Sequence, residues 1–250
     1  MRTPPETAGA PLAVEVAGLV KTYGEGDAAV HALRGVDVGF EHGAFTAIMG
    51  PSGSGKSTLM HCIAGLDTAT RGSVRLNGDE ITGMGERRLT RLRRDRIGFI
   101  FQAFNLLPML TAEQNILLPL EIAGRRPDWA LFDEVVEIVG LRDRLDHRPS
   151  ELSGGQQQRV AVARAFVSRP EVVFADEPTG NLDSASGTAV LELLRTSVHR
   201  LGMTAVMVTH DAKAASYADR AVFLRDGRVE DEIDAPTADS VLAAMMKLEG

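Results

Sequence analysis

The chain has a single cysteine, Cys62, among 250 residues, which excludes an internal disulfide framework. Cys62 falls in the apolar stretch "LMHCIAG", where a small buried thiol is the plain reading and a reducing compartment suits it. Positive charge is also short, with 27 Lys and Arg against 34 Asp and Glu for a formal net charge of −7. A broad electrostatic footprint for nucleic acid is thereby disfavoured, although charge speaks to association and not to fold. No run of about 18 apolar residues occurs, and no apolar stretch follows Arg2 as a secretory signal requires. The expectation is a chain that neither spans a membrane nor carries a visible export signal. Internal repeats and low-complexity tracts are missing as well. What is present is 44% hydrophobic content, enough for one sizeable core or a core with a smaller subdomain.

Residues 1–11, rich in Pro, Thr and Ala, predict a flexible tail ahead of one domain over 12–250. Strand-like apolar segments stand at Leu12 to Val20, Val36 to Phe40, Phe45 to Met49, Ile97 to Phe101, Val172 to Ala175, Ala205 to Thr209 and Ala221 to Leu224. Phe45 to Met49 is followed by a Gly-rich turn and a helical pattern over Ser57 to Ala64, the form of a strand, loop and helix. Val172 to Ala175 reads as a short buried parallel strand. The class is therefore α/β with a largely parallel central sheet, its core expected over about 12–102 and 169–230. Between 103 and 168 the β-type runs give way to helical spacing at Val135 to Val139 and Gln156 to Val167, which predicts an inserted helical subdomain. A terminal helix is expected over 237–248.

The segment Gly50, Pro51, Ser52, Gly53, Ser54, Gly55, Lys56, Ser57, Thr58 satisfies G-x-x-x-x-G-K-[ST] between a strand and a helix, the context a phosphate-binding loop requires. Glycines let successive backbone N–H groups converge on phosphate oxygens, and the helix N-terminus favours their charge. Lys56 then reaches the β- and γ-phosphates, and Ser57 offers a hydroxyl to Mg²⁺. The apolar run Val172 to Ala175 ends in Asp176 and Glu177, at the strand end where open α/β sheets bind ligand. Asp176 is assigned to Mg²⁺ through its water shell. Glu177, expected on the other side of the strand, is assigned to an attacking water as general base or orienting group. Ser153, Gly154 and Gly155 precede a helix expected from Gln156, so their N–H groups and that helix dipole form a second anion site. Without the rest of the sequence, that turn is an ordinary serine-capped helix start.

Together these residues resemble the nucleotide-binding subunit of ATP-binding cassette (ABC) transporters over about residues 12–228, with "LSGGQ" at 152–156 as that family's signature. The resemblance implies a P-loop NTPase core with a mostly parallel sheet, an N-terminal antiparallel β subdomain and the inserted helical subdomain. It implies ATP and Mg²⁺ as ligands and a second copy of the chain as partner, paired head to tail. Ser153 and Gly155, with Gly154 and Gln156 beside them, would then hold the γ-phosphate of ATP bound to the opposite subunit. Tyr23 in "KTYG" corresponds to an aromatic stacked on adenine, and Gln102 in "FIFQAF" to the glutamine that joins Mg²⁺ and the attacking water to the helical subdomain. His210 in "VTHD" matches a histidine that contacts the γ-phosphate, and Asp183 in "GNLDS" a loop that crosses the dimer interface.

Finer stretches such as "ADEPTGNLDS" are similar to the cassettes of macrolide-efflux, lipoprotein-release, cell-division and antimicrobial-peptide-detoxification systems. Their permeases have few spanning helices and a large extracytoplasmic domain, which implies such a permease as a separate polypeptide here. It also implies a cytoplasmic chain held at the inner membrane face, moving a lipid, lipoprotein, peptide or drug. A cassette that gates a membrane protein without moving solute shares the same ATP site and stays open. A soluble ABC ATPase of nucleic acid or ribosomes usually carries two cassettes or coiled-coil insertions, and neither is present. Phe104 to Leu120 is either a packed linker or the receiver of the permease. The run "RRLTRLRRDR" at 87–96 reads as a solvated helix face with Leu89 and Leu92 inward, the other reading being anionic lipid or nucleic acid.

Overall fold

The computed structural model describes residues 11–249, so the tail expected over 1–11 lies outside the described residues apart from Pro11. The chain runs β1 (Leu12–Tyr23), β2 (Val30–Glu41), β3 (Phe45–Met49), α1 (Lys56–Ile63), β4 (Arg71–Leu76), β5 (Asp79–Glu80), α2 (Glu86–Arg96), β6 (Ile97–Phe101), α3 (Ala112–Ile122), α4 (Trp129–Val139), α5 (Gly154–Phe166), β7 (Val172–Asp176), α6 (Ser184–Leu201), β8 (Thr204–Val208), α7 (Ala212–Ala215), β9 (Arg220–Arg225), β10 (Arg228–Asp234) and α8 (Ala238–Glu249).

Two sheets result. One is antiparallel in the order β2-β1-β4-β5; the other follows β10-β9-β3-β8-β7-β6. In the second, all neighbours are parallel except β10 on β9. Every residue of β3 and β8 is buried because helices or the other sheet cover both faces, as continuous apolar strands require. Alternation along each strand then sorts the core into two halves. Phe45, Ala47, Met49, Val173 and Ala175 face the helices α3 to α6, while Ile48, Val172, Phe174, Val206 and Val208 face α1 and the antiparallel sheet. Phe174 is fully buried, so its truncation to alanine costs about 3–5 kcal/mol.

The register places the C-terminal strand ends side by side, with Ile48 opposite Val208, Val208 opposite Asp176, and Asp176 opposite Phe101. The turn after β3, Glu177, Thr209 and Gln102 therefore leave the sheet along one edge, where a parallel sheet opens to ligand.

Element boundaries differ from the sequence reading at instructive places. The helix α5 begins at Gly154, two residues before Gln156, because Ser153 already caps it. The strand β2 begins at Val30, since only Leu33 of its first five residues is buried and the apolar signal is faint. The strand β10 has an outward face made of charge in "RVEDEID", which suits its place at the sheet edge and hides it from a hydrophobicity scan, and the polar face of β4, with Arg71, Ser73 and Arg75, hides that strand too. The arginine run forms α2, with Leu89 and Leu92 buried. Among the described residues no helix is long and apolar enough to cross a membrane.

Candidate nucleotide site

Helices α3, α4, α5, α6 and α7 each have a side-chain N-cap, from Thr111, Asp128, Ser153, Asp183 and Asp211. Helices α1 and α2 have none, and α1 alone of the two follows a left-handed glycine, Gly55, at the end of a glycine-rich loop. The first N–H groups of α1 are thus left for a ligand, and the helix dipole selects an anion. The glycines are forced by space as well as by angle. A Cβ on Gly50 would lie 2.0 Å from the Leu224 carbonyl oxygen, and one on Gly55 would lie 2.5 Å from that of Ala32. Lys56 curls back over this loop, its Nζ donating to the Gly50 and Pro51 carbonyls at 2.8 Å each. Burial holds its pKa below the ordinary lysine value, against the pull of Glu177 and Asp176. Ser54 Oγ is buried in the loop without a partner, while Ser52, Gly53 and Ser57 are exposed and Thr58 half-buried.

Asp176 ends β7 half-buried, and burial pushes its carboxyl above the ordinary aspartate value. Glu177 does not continue the strand. It adopts a left-handed φ of 45°, its N–H donates to the Val208 carbonyl, and its carboxylate turns to the neighbouring strand end. There Oε1 meets His210 Nδ1 at 2.8 Å and Oε2 accepts from the Thr209 hydroxyl at 3.3 Å. A non-glycine residue held in this region marks strain maintained by its surroundings, here by three hydrogen bonds. The expectation that Glu177 simply faces the opposite side of β7 is corrected accordingly.

Tyr23 closes β1 at the rim, half-exposed. Its hydroxyl donates to Asp67 Oδ2 at 2.7 Å, and Lys21 Nζ lies 4.6 Å from its ring centre while donating to Asp67 Oδ1 at 2.6 Å. Burial and the Asp67 bond both raise the tyrosine pKa, so the ring stays neutral. Burial would raise the Asp67 pKa, but its bonds to Lys21 and Tyr23 outweigh that and hold it below the usual range.

The second anion site lies elsewhere in the chain. Ser153 Oγ accepts from the Gln156 N–H and the Gln156 side chain accepts from the Ser153 N–H, a reciprocal capping box. The N–H groups of Gly154 and Gly155 stay free for a ligand. A Cβ on Gly155 would touch Ser186 at 3.1 Å, so this turn sits against the start of α6, which Asp183 caps through Ala185 and Ser186. Gln102 belongs to this side too: it exchanges two 3.1 Å hydrogen bonds with Asn181 and lies over Gly180. The structure therefore gathers Lys56, Asp176, Glu177 and His210 at one centre. It keeps Ser153 to Gln156, Asp183 and Gln102 with a second, and the described residues contain no hydrogen bond between Ser153–Gln156 and the loop Gly50–Thr58.

The ABC transporter family model matches residues 33–180, from inside β2 through the loop, the Ser153 turn and Glu177. The chain belongs to the ABC transporter family. The cassette is 48% identical over 219 residues to an uncharacterized ABC transporter ATP-binding protein of Thermotoga maritima, covering 87% of this chain and 93% of that protein. It is 44% identical to the macrolide export ATP-binding/permease protein MacB of Bdellovibrio bacteriovorus, over 88% of this chain but only 34% of MacB. The cassette thus spans about a third of the length of such fused relatives. Among solved structures it resembles the dimeric post-hydrolysis state of the ATP-binding cassette MJ0796 bound to ADP and phosphate, with TM-score 0.77, 40% identity and 89% and 98% of the two chains covered. It also resembles CbiO1 of Clostridium perfringens, part of the transporter complex CbiONQ, with TM-score 0.81 at 28% identity over 93% and 91%.

Several residues of the cassette site escaped the sequence reading. Asp67 and Lys21 fix Tyr23, Thr209 holds Glu177, and Asn181 holds Gln102. Gln158 and Arg164 on α5 donate to backbone carbonyls around Gln102. The one available signal was Gln158 on the otherwise apolar face of "QRVAVARAF". Beside these residues lies a cleft of about 470 Å³ between the sheet edge and α3, lined by Phe99, Phe101, Leu118, Pro119, Ile122 and Arg164 among others.

Proposed function

We propose that the cassette hydrolyses ATP as a head-to-tail pair, each copy's phosphate loop facing the other copy's Ser153 turn, and that the cycle of closing and opening drives a membrane permease. The observation that carries this reading is the separation of two anion sites within one chain. A single nucleotide is served by the loop at Gly50–Thr58, which leaves the Ser153 turn for a nucleotide held by another copy. Two dimeric structures of the MJ0796 cassette support it, one of them in a post-hydrolysis state bound to ADP and phosphate.

In this reading Tyr23 stacks on adenine, and the open N–H groups of α1 with Lys56 take the β- and γ-phosphates in place of the Gly50 and Pro51 carbonyls. Glu177 orients water and accepts its proton as the water oxygen bonds to the γ-phosphorus and the bond to ADP breaks, while His210 fixes the carboxylate. The partner's Ser153 hydroxyl and Gly155 N–H complete the cradle, with Gly154 and Gln156 in the same turn and Asp183 at the interface.

Among the described residues there is no group of three or more His, Cys, Asp or Glu side chains arranged to hold a metal ion. The Ser57 hydroxyl and the Asp176 carboxylate would hold a hard ion such as Mg²⁺ through oxygen, and the Gln102 amide oxygen would join them once its side chain leaves Asn181. Mg²⁺, when bound, neutralises charge on the β- and γ-phosphate oxygens.

Two γ-phosphates bridge such a pair, so ATP favours closure more than ADP does. The cleft beside α3 is the natural receiver for a permease with a large extracytoplasmic domain, which would hold the cassette at the cytoplasmic membrane face. Relatives named for macrolide export favour outward movement of a drug, lipid, lipoprotein or peptide. The test is size-exclusion chromatography of Glu177→Gln with Mg-ATP. A doubling of apparent mass that Lys56→Ala abolishes is expected; a monomer under all conditions would sink the paired-site reading.

A further inference from the structure

We propose that Gln158 is a positioning residue for ATP hydrolysis: one buried amide holds the backbone beside Gln102 and the backbone beside Glu177 to the helix that opens at Ser153. This rests on the roles assigned above to Gln102 and Glu177.

Gln158 is fully buried. Its Nε2 donates to the Phe101 carbonyl at 3.3 Å and to the Pro178 carbonyl at 2.5 Å, while its Oε1 has no partner. A flipped amide would press oxygen against two carbonyl oxygens, so the acceptors dictate the orientation. An orphaned acceptor in a closed core is unfavourable, and an apolar side chain of the same shape would avoid it. What glutamine adds at this position is the pair of donors.

Those two carbonyls need them. Phe101 and Asp176 are the last paired residues of β6 and β7, after which both chains leave the sheet. Glu177 turns left-handed, its N–H is taken by Val208, and Pro178 has no N–H to continue a ladder. The strand ends carrying Gln102 and Glu177 are thus joined beyond the sheet through Gln158. Helix α5 lies close enough to do this because a Cβ on Gly98 of β6 would stand only 2.6 Å from the Ala165 carbonyl oxygen. The same helix grips the far side of the Gln102 segment, with Arg164 donating to Phe104 and Asn105 carbonyls at 2.9 and 2.6 Å. Contact of the Ser153 turn with a partner's nucleotide therefore acts on a body that includes both Gln102 and Glu177.

The experiment is steady-state ATP turnover by the purified full-length chain carrying Gln158→Met or Gln158→Asn. Methionine fills the same volume without donors, and asparagine keeps the amide but is one methylene short of the two carbonyls. Both variants should lose about tenfold or more in kcat with KM for ATP nearly unchanged, as misplaced catalytic groups do. Adding Gln158→Met to Glu177→Gln should leave the ATP-dependent dimer intact. A folded variant with wild-type kcat, or a KM that rises in step with the loss of kcat, would overturn the proposal. Failure of both variants to fold would also overturn it, by making Gln158 a stabilising residue. A wild-type chain no faster than Lys56→Ala would sink the ATPase reading beneath it, whereas an active wild type with fully active Gln158 variants would sink this inference alone.

Discussion

Burial pushes the Asp176 carboxyl above its ordinary pKa, with Glu177 adding to the rise and His61 and Lys56 opposing it. A carboxyl whose folded pKa is raised contributes stability that is present below its unfolded pKa and lost as pH rises through the folded one. At neutral pH the ionised Asp176 therefore weakens the nucleotide-free fold, a strain that a bound cation would relieve. Asp176→Asn should raise Tm at pH 7. The advantage should shrink as pH falls toward the ordinary aspartate range, and Mg-dependent turnover should vanish. Thermal melts from pH 4 to 8 check it; an equal or lower Tm at pH 7 would show that Asp176 carries no such strain. At this scale spacing points to Lys56 and an apolar run ending in carboxylates to Asp176, whereas His210 is suggested only by the resemblance to the family. Gln158 and Asp67 were not readable, because what they touch is backbone or side chain brought close only by folding.

Ser153 caps α5, and under the proposed function the same helix start would also meet the partner's γ-phosphate. The spacing Ser-x-x-Gln announces a capping box, and in this case that ordinary feature and the family's signature coincide. Removing the hydroxyl in Ser153→Ala should cost about 1 kcal/mol of stability and ATP-dependent pairing together. Ser153→Asp separates the two, since aspartate is as good an N-cap as serine but sets a negative charge against the partner's γ-phosphate. Its Tm should match the wild type while the Glu177→Gln, Ser153→Asp double variant stays monomeric with ATP. Pairing by that double variant would confine Ser153 to capping. Strand β10 shows the limit of reading elements from sequence: its charged outward face suits an edge but carries no hydrophobic period.

The order β10-β9-β3-β8-β7-β6 was not legible, because periodicity marks strands and says nothing of which distant strands pair. Nor does any motif reveal how the antiparallel sheet, which ends at Tyr23, is fixed to the parallel sheet that bears the phosphate loop. Part of that join is a shared apolar core, and part is polar: Arg220 of β9 donates to the Gly39 carbonyl of β2 at 2.9 Å, and a second arginine gathers several bonds. Arg96, at the end of α2, binds both carboxylate oxygens of Glu171 just before β7 at 2.7 Å each. It also reaches Asp79 of β5 at 2.7 Å and the Leu76 carbonyl of β4 at 3.1 Å. The Glu171 bonds hold the Arg96 pKa above its usual value despite partial burial. Glu171→Gln removes the charge and one arm of the bidentate pair, at a cost of about 1.5–3 kcal/mol. Urea unfolding should show a lower midpoint with an unchanged m-value. Because Tyr23 ends a strand of one sheet while Lys56, Asp176 and Glu177 stand at or beyond the strand ends of the other, loosening the join should raise KM for ATP more than it lowers kcat. A stability loss with KM unmoved would mean that the shared core and the Arg220–Gly39 bond set the distance between Tyr23 and the phosphate loop without Arg96.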